Sequence, residues 1–592
     1  MDTYKSNLRN LFNQPQRYEI PAFQREYVWN HENQWGPLWE DVQNVAEQCL
    51  EKQPNEPTPH FLGAIVLQQQ QVQASQLPTR VVVDGQQRLT TLQLLLDAVQ
   101  EVFEERKYAY PAKRLEGLVL NPEEYRNGDS DNAFKVWPTV ADRDAFRQAM
   151  HNDLASEEYK ESRVVRAHEF FKLQTGQWIE AQPEEGEKRA EALEIAVRDL
   201  LEVVVIDLDH TEDPHIIFET LNARGTPLLQ SDLIKNMVLY EAGASDPDEA
   251  NRLWDFTDGW WREEIYQGRL NRPRIDVFLN YWLVMRKREE VNANDVFSVF
   301  RRYYQDGNSS IETVAADIGR IGEHYRSLEK ADIPEMETFL YRLGVMRAGA
   351  LTPVLLWLLS SEVPEQQLQK GLRALESFTV RRMVCRITAQ SYPGLFVDLL
   401  KDLAKSEVER AGDVIVEFLR RQEAYGRLWP SDNWFTNALM SHPLYRLLTR
   451  GRLRIILEGI EEELRTDKAE SGSAPRWLTI EHVMPRKWGK HWSPPRDLED
   501  GTDPEERRNR VIHSVGNLTL VNQPLNSDLS NAAWQKKREK LKEHSTLFLN
   551  KDLLKEAPDV WDEAAIEERA KRLCHEAIKV WPHAEAINQM YD

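Results

Sequence analysis

The pattern of apolar residues changes near residue 240 and constrains what the chain can fold into. Before that point, the β-branched runs 80–83 and 202–206 are typical of buried strands, and 90–102 has helical periodicity. From 246 to 464, apolar residues recur at helical spacing, as at Phe339, Leu343 and Met346. The sequence therefore predicts a mixed α/β region followed by a helical region.

The length of 592 residues exceeds what one hydrophobic core supports. The small, polar segment 466–474 is typical of a linker. We therefore expect an α+β, multidomain protein with an α/β domain at 1–240, an all-helical middle region at 241–465 and a third domain at 466–592.

Composition favours a cytoplasmic protein without a membrane segment. No apolar stretch approaches the length of a membrane span, and no apolar run follows the N-terminus. Cys49, Cys385 and Cys574 lie far apart, which argues against a disulfide framework or a cysteine-based zinc site.

Four residues of the third region have the spacing of a one-metal nuclease site. Glu481 directly precedes His482, and Asn517 and Asn526 follow nine residues apart. A neutral histidine can take a proton from water as a general base, and carboxylate and carboxamide oxygens from Glu481 and Asn526 suit Mg²⁺ or Mn²⁺. Asn517 would orient His482 by bonding its ring or its backbone. The structural alternative is a buried histidine at a strand end with two turn-forming asparagines.

The strand-like run 518–521 and the helix-like run 532–541 favour the nuclease interpretation.

Charge is distributed unevenly along the chain. The net charge is −22, yet 476–542 holds 13 Lys and Arg against 9 Asp and Glu. The third region is thus locally basic, as contacts with DNA phosphates require. Two arginine clusters, at 446–454 and at 381–386, are either further contacts or solvated helix faces.

A second motif lies where a predicted strand meets a predicted helix, at residues 84–88. Gly85 permits close backbone approach, and the first turn of the helix favours an anion such as a triphosphate. Arg88 would donate to phosphate, and Asp84 would hold Mg²⁺ or orient a water. Alternatively, Asp84 is an N-cap and Gln87 its capping-box partner.

Two other N-terminal motifs, 20–29 and 218–228, contain polar side chains able to bind a nucleotide. Gln24 and Arg25 lie in an extended aromatic segment that either reads a base or makes structural bonds at an edge. Asn222 and Arg224 precede a predicted helix start near Pro227, so they either bind the ligand or cap that helix. We expect residues 1–240 to supply the discrimination between DNA substrates, through the aromatic segment that includes Tyr27.

The motifs together resemble a known family. The sequences are IPAFQREYVW, VVDGQQRLTTL and FETLNARGTPL in the first region and IEHVMPRKW with VGNLTLVNQPLN in the third. This combination is similar to single-chain GmrSD enzymes, which are type IV, modification-dependent restriction endonucleases. The resemblance covers roughly 1–240 and 470–550.

The resemblance implies an N-terminal ParB/sulfiredoxin-like domain that binds and hydrolyses a nucleoside triphosphate (GTP, UTP, CTP or ATP), and a C-terminal HNH nuclease with the ββα-metal fold. Nucleotide handling would fall to Asp84, Gln86, Gln87 and Arg88. DNA cleavage would fall to His482, Asn517 and Asn526, with Glu481 standing where related nucleases often have Asp. The expected partner is modified phage DNA, glucosylated or phosphorothioated. The sequence does not decide between a monomer and a homodimer. The alternative is a nucleotide-binding sensor or toxin whose HNH-like domain binds nucleic acid or acts on RNA.

Overall fold

A computed structural model gives the structure of the chain. It describes residues 2–21, 24, 26–50, 57–70, 77–126, 128–150, 159–209, 229–243, 249, 252–256, 258–268, 270–465, 473–490, 492, 503–555 and 559–591. The chain divides into two compact units. The first comprises Met1–Thr257 and Gly307–Ala316, and the second comprises Asp258–Asp306 and Asp317–Asp592.

The first unit is built around a mixed sheet. Its strands are β1 (Asp2–Asn7), β2 (Arg17–Glu19), β3 (His60–Gln69), β4 (Thr79–Asp84), β5 (Val136–Trp137) and β6 (Leu201–Leu208). Its helices include α1 (Leu8–Phe12), α2 (Gly36–Leu50), α3 (Gln86–Glu105), α4 (Ala109–Val119), α5 (Arg143–Met150), α6 (Arg163–Glu180), α7 (Gly186–Ile195) and α8 (Gln230–Glu241). The predicted strands at 80–83 and 202–206 and the predicted helix at 90–102 are confirmed as β4, β6 and α3.

The sheet has the order β1-β6-β3-β4-β2-β5. The pairs β1–β6 and β3–β4 are antiparallel, whereas β3–β6, β2–β4 and β2–β5 are parallel. A register shift in β3 falls beside Gly63, which has φ +104°. The mixed α/β character expected for this region is confirmed.

Helix α3 carries the core of the first unit. It follows β4 after a single residue, Gly85, whose φ of +89° lies in the left-handed region. A Cβ at Gly85 would lie 2.7 Å from Cγ2 of Ile65 in β3, so only glycine allows this close turn. Beyond the turn, apolar side chains from Leu89 to Phe103 are buried on nearly all sides of α3. The turn therefore fixes where the helix starts against the sheet.

The second unit is mainly helical. Its first helices are α9 (Gly259–Arg262), α10 (Arg274–Lys287), α11 (Val296–Asp306), α12 (Ile311–Glu329, which begins in the first unit), α13 (Glu337–Met346), α14 (Thr352–Ser360), α15 (Glu365–Val384), α16 (Tyr392–Leu403), α17 (Ala411–Arg420), α18 (Asp432–Ser441), α19 (Leu444–Leu447) and α20 (Arg450–Arg465).

Strands β7 (Glu264–Gln267) and β8 (Leu270–Pro273) lie among these helices. The expectation of an all-helical middle region is wrong at this point. The two strands pair antiparallel with Ile265 opposite Arg272, and Gly268 between them has φ +64°. A glycine turn joining two short extended segments forms a hairpin that the helical periodicity of the flanking sequence does not reveal.

The C-terminal segment adds a small sheet and further helices. These are β9 (Thr479–His482), α21 (Pro504–Val511), β10 (Leu518–Val521), α22 (Gln523–Leu529), α23 (Trp534–His544), α24 (Phe548–Lys555), α25 (Glu563–Val580) and α26 (Ala584–Tyr591). The strand predicted at 518–521 is confirmed, and the helix predicted at 532–541 corresponds to α23.

Buried polar contacts join the middle helices to the C-terminal segment. The Glu461 carboxylate in α20 is fully buried and accepts from the backbone N–H groups of Phe548 (3.1 Å) and Leu549 (2.6 Å), at the start of α24. Arg381 in α15 is also fully buried, and its guanidinium donates to the Trp581 carbonyl at 2.7 Å. In the cluster at 381–386, Arg381 and Arg382 therefore serve packing, whereas Arg386 is exposed.

Within the described residues, no helix combines the length and apolar character that crossing a lipid bilayer requires.

Replacing Glu461 with Ala should destabilise the second unit. The change removes the acceptor of two helix N–H groups and one acceptor of the Arg465 guanidinium, which donates to Glu461 at 2.8 Å. Buried donors left unpaired cost about 1–3 kcal/mol each, so we expect a loss of at least ~2 kcal/mol in denaturant unfolding. Glu539→Ala, at an exposed position in α23, is the control. Equal midpoints for the two variants would contradict this role.

Candidate functional site

The two-stranded sheet of the second unit places the histidine motif. Strands β9 and β10 are antiparallel, with His482 opposite Leu518 and Glu481 opposite Thr519. Asn517 lies in the turn directly before β10, and Asn526 lies in α22 directly after it. The structure therefore brings Glu481, His482 and Asn517 together at one end of this sheet.

Asn517 holds the backbone just beyond the histidine. Its side chain is fully buried; Oδ1 accepts from Met484 N (2.8 Å) and Nδ2 donates to Met484 O (2.8 Å) and Ile512 O (2.9 Å). Trp561 Nε1 also donates to Oδ1 at 3.1 Å. Of the two roles expected for Asn517, the structure shows the backbone contact, made two residues beyond His482, and no bond to the ring. Its influence on the imidazole is therefore indirect.

The His482 imidazole is enclosed by two other rings. Its Nε2 lies 3.2 Å from Nδ1 of His513, and the ring of Tyr445 packs edge-on at a centroid distance of 4.2 Å. The backbone N–H of Tyr445 donates to the His513 carbonyl at 3.1 Å, which fixes the three rings relative to one another. Among the described residues Nδ1 of His482 has no hydrogen-bond partner. That nitrogen is therefore the one available to a water or substrate.

Burial and positive charge keep both imidazoles neutral. Burial lowers the pKa of His482 to about 3, and His513 and nearby cations add to the effect. The pKa of His513 falls to about 4, first through burial and then through Arg446, Arg486 and Arg450. At neutral pH both rings are therefore uncharged, and in the contact between them one nitrogen donates and the other accepts.

Glu481 is paired with a lysine that the sequence motif does not include. Lys537 of α23 is almost fully buried, and its Nζ lies 2.5 Å from Glu481 Oε1 and 2.7 Å from the His482 carbonyl. Burial raises the pKa of the Glu481 carboxyl, and the adjacent ammonium opposes this shift. Burial likewise lowers the pKa of Lys537 against the opposing effect of Glu481. The short contact holds the two groups as an ion pair.

Asn526 is half-buried on α22, next to β9. Its backbone makes ordinary helical hydrogen bonds, while its carboxamide has no hydrogen-bond partner among the described residues. The carboxamide oxygen is therefore free to accept from, or coordinate, a ligand.

Three residues of this site lie outside the sequence motif: His513, Tyr445 and Lys537. Each comes from a different segment, and their contacts with His482 or Glu481 span more than thirty positions in the chain. The only sequence signal was the arginine cluster around 446–454, which marked the segment that carries Tyr445.

The N-terminal motif surrounds the start of α3 in the first unit. Gly85, not Asp84, is the N-cap, and it has no side-chain cap bond. Asp84 Oδ1 instead accepts from Gly85 N at 2.7 Å. The capping-box alternative for Asp84 and Gln87 is therefore wrong, because the left-handed glycine moves the cap one residue along the chain.

The two glutamines after Gly85 have different surroundings. Gln87 accepts from Val28 N (2.8 Å) and donates to Glu26 O (3.1 Å), so it holds the aromatic segment against α3. Gln86 is 9% exposed, and its Oε1 lacks a partner within the described structure. A buried carbonyl oxygen without a donor at a helix N-terminus indicates a place for a ligand group or water.

Arg88 and Gln24 complete the described part of the cluster. Arg88 is half-buried and Nη1 donates to the Ala64 carbonyl at 2.5 Å; burial lowers the pKa of its guanidinium, against the effect of Asp84. Gln24 Nε2 donates to the carbonyls of Val82 and Val83, each at 2.9 Å. Arg25, Asn222 and Arg224 lie outside the described residues.

Both of these sites fall within regions that match restriction endonucleases. The family model described as the N-terminal domain of the GmrSD restriction endonuclease matches residues 8–239, and that of the C-terminal domain of GmrSD restriction endonucleases matches 429–576. Together they cover more than half of the sequence. The chain therefore belongs to the GmrSD restriction endonuclease family, in single-chain form, which confirms the resemblance inferred from the motifs. A search of curated proteins gave no match.

Replacing Tyr27 with Phe should lower the stability of the first unit. Tyr27 is 4% exposed, and its hydroxyl lies 2.6 Å from Thr91 Oγ1 and accepts from Trp35 Nε1 at 2.9 Å. Removing the hydroxyl leaves the buried Trp35 N–H unpaired, at a cost of about 1 kcal/mol or more. Thermal unfolding measures the loss, and Tyr110→Phe at an exposed position is the control. An unchanged melting temperature would show that Tyr27 contributes no structural bond.

Proposed function

We propose that the chain is a nucleoside-triphosphate-regulated endonuclease that cleaves modified foreign DNA, with His482 as general base and Mg²⁺ as cofactor. Membership of the GmrSD family supports a restriction endonuclease that acts on modified DNA. The observation that carries the finer proposal is a neutral His482 beside a carboxylate, in a setting where the charges acting on the histidine pair are positive.

His482 suits the role of base because its ring is uncharged at neutral pH. When Nε2–H of His482 donates to Nδ1 of His513, Nδ1 of His482 keeps its lone pair and is the atom that would accept a proton from the attacking water. A base with a pKa of about 3 is weak in the free protein. An approaching DNA phosphate adds negative charge that offsets the part of the pKa lowering caused by the surrounding cations, whereas the larger part, caused by burial, is unaffected.

Glu481 and Asn526 are the residues that would hold Mg²⁺. Both offer hard oxygen atoms; Lys537 occupies Oε1 of Glu481, and the Asn526 carboxamide is free among the described residues. Few protein ligands are expected for an ion that keeps several waters and binds substrate phosphate. When bound, the ion would stabilise the charge that develops on the phosphate during cleavage.

The start of α3 supports a nucleotide site. A twenty-residue helix directs its first N–H groups toward this end, and Gln86 Oε1 and Arg88 lie in its first turn. Gln86 and Arg88 would bind the nucleotide, and Asp84 would orient a water. Gln87 and Gln24 frame the site, since their amides are used in backbone bonds.

The expectation that Tyr27 reads the modification is revised. Tyr27 is buried in the core and bonded to Thr91, so it supports α3 rather than a base. Discrimination of modified DNA stays assigned to the first unit, through residues other than Tyr27.

The direct test is to incubate the purified chain with Mg²⁺, each nucleoside triphosphate in turn, and either plain or glucosylated-hydroxymethylcytosine DNA. The proposal predicts cleavage that needs Mg²⁺, depends on the nucleotide and favours modified DNA. Cleavage of RNA in place of DNA, or no cleavage of any modified DNA, would contradict it.

Replacing His482 with Ala should lower the rate of DNA cleavage by ~10²–10⁴, because that is what loss of a general base typically costs. Hydrolysis of nucleoside triphosphate should be unchanged, since α3 belongs to the other unit. His575→Ala, at an exposed position in α25, is the matched control. Near-normal cleavage by the His482 variant would remove this histidine from the mechanism.

Replacing Asp84 with Asn should lower nucleotide hydrolysis by roughly 10² if the carboxylate orients a water or an ion. Asn keeps the Oδ1 that accepts from Gly85 N, so the turn before α3 is retained and thermal stability should not change. Hydrolysis measured by phosphate release, beside a melting curve, separates the two effects. Full hydrolysis by this variant would assign Asp84 to the turn alone.

A further inference from the structure

Three arginines stand around the histidine pair without a carboxylate partner. Arg446 in α19, Arg450 at the start of α20 and Arg486 after β9 are all exposed. Across the described structure, none of the three forms an ion pair. In a chain with 97 Asp and Glu against 75 Lys and Arg, three unpaired arginines in one place need an explanation.

The neighbouring arginines of the same sequence cluster have structural roles. Arg454 contacts Glu458 at 3.4 Å, and Arg452 donates to the Met346 carbonyl at 2.8 Å. The cluster at 446–454 therefore contains two kinds of arginine. Arg452 and Arg454 serve packing, whereas Arg446 and Arg450 retain unused guanidinium donors.

Tyr445 lies between His482 and two of the unpaired arginines, Arg450 and Arg486. The Arg450 guanidinium lies 3.3 Å from the centre of the Tyr445 ring and donates to the Tyr445 carbonyl, and the Arg486 guanidinium lies 5.8 Å from the same ring. The ring itself packs against His482. Stacking on an aromatic ring holds an arginine in place while leaving most of its N–H donors free.

The electrostatic field at this place is positive. The charged groups that act on His513 are Arg446, Arg486 and Arg450, and each of them lowers the pKa of His513. The carboxylate beside His482, that of Glu481, is already paired with Lys537. An anion is therefore favoured on the side of the histidine pair that the arginines occupy.

We propose that Arg446, Arg450 and Arg486, which we call the arginine rim, bind the phosphate backbone of double-stranded DNA beside the scissile bond. The proposal rests on the proposed nuclease function and adds the surface that holds the substrate. Arginine forks match phosphate oxygens in a bidentate way, and backbone contacts position a duplex without reading its sequence. Two of the three residues precede the predicted nuclease region, so the DNA-binding surface is built jointly by the helical region and the nuclease segment.

Salt dependence tests the arginine rim without requiring cleavage. The measurement is the affinity of the full chain carrying His482→Ala for a fluorescein-labelled plain duplex, by anisotropy, over a range of KCl. Each phosphate contact contributes about 0.9 to the slope of log K against log salt, so Arg446→Gln, Arg450→Gln and Arg486→Gln together should reduce the slope by about 2.7. When salt is raised from about 50 to 200 mM, the factor by which affinity falls should be roughly 40 times smaller for the triple variant than for its parent.

Controls separate the rim from general charge effects. Arg262→Gln removes an exposed arginine elsewhere in the second unit. Because this residue lies outside the rim, the slope of log K against log salt should change only by the small effect of one lost positive charge on the net charge of the chain. Arg450→Lys keeps the positive charge but loses the planar guanidinium that stacks on Tyr445. It should therefore keep the slope of log K against log salt and weaken DNA binding at every salt concentration. A melting curve on each variant tests whether the fold is kept. Because Arg446 and Arg486 are exposed and unpaired, the double variant at these two positions serves if Arg450→Gln disturbs Tyr445.

Two results would overturn the proposal. The first is an unchanged slope and affinity in the folded triple or double variant. The second is a loss seen with a matched RNA duplex but not with DNA, which would assign the rim to RNA. If no substrate is cleaved by the unmodified chain while the slope falls as expected, the rim stands as a DNA-binding surface and the nuclease proposal fails.

Discussion

The C-terminal site depends on buried polar anchors around a very small sheet. Strands β9 and β10 contribute only four residue pairs, and a two-stranded sheet of this size is not stable in water by itself. Arg569 in α25, fully buried, donates to the carbonyls of Gly516 (2.7 Å) and Leu518 (2.8 Å) on one side. Asn517 and Lys537 bind the backbone at and after His482 on the other. The helices around the sheet thus hold the histidine where the sheet alone could not.

Because the small sheet depends on the surrounding helices, the turn before β10 packs directly against one of them. A Cβ at Gly516 would lie 2.1 Å from the Ile566 carbonyl of α25, so the turn touches the helix backbone directly. With no side chain at 516, α25 approaches closely enough for Arg569 to reach both carbonyls. The glycine, the asparagine and the arginine therefore act as one unit, and changes at these positions should not have additive effects on stability.

The features that the sequence predicts correctly are those whose chemistry lies on neighbouring residues. The strands β4, β6 and β10, the helix α3 and the adjacency of Glu481 and His482 follow from local patterns, and the family follows from the motifs taken together. Contacts between residues distant in the chain have no such pattern. His513 and Lys537 carry no local signal, and Tyr445 has only that of the neighbouring arginines, since a tertiary fold alone brings the three to His482 and Glu481.

The N-terminal cluster shows the same limit at shorter range. The pattern at 84–88 was recognised as a strand-to-helix turn, but Gly85 in a left-handed conformation, rather than Asp84, closes the helix. Gln87 and Gln24 were expected near a nucleotide, and their amides instead join the aromatic segment to α3 and β4. Their residue types suited either role, and only the positions of the backbone partners separate the two.

The bond from the Tyr445 amide to the His513 carbonyl has a consequence for how such enzymes can be recombined. A chimera that receives only the segment after the polar stretch at 466–472 would carry His482 without the ring that packs against it and without two of the nearby arginines. The C-terminal family match begins at residue 429, ahead of these groups. The segment that could be exchanged as a unit therefore starts before α18. A junction placed at the polar stretch 466–472 would separate Tyr445 from His482 and so divide the site.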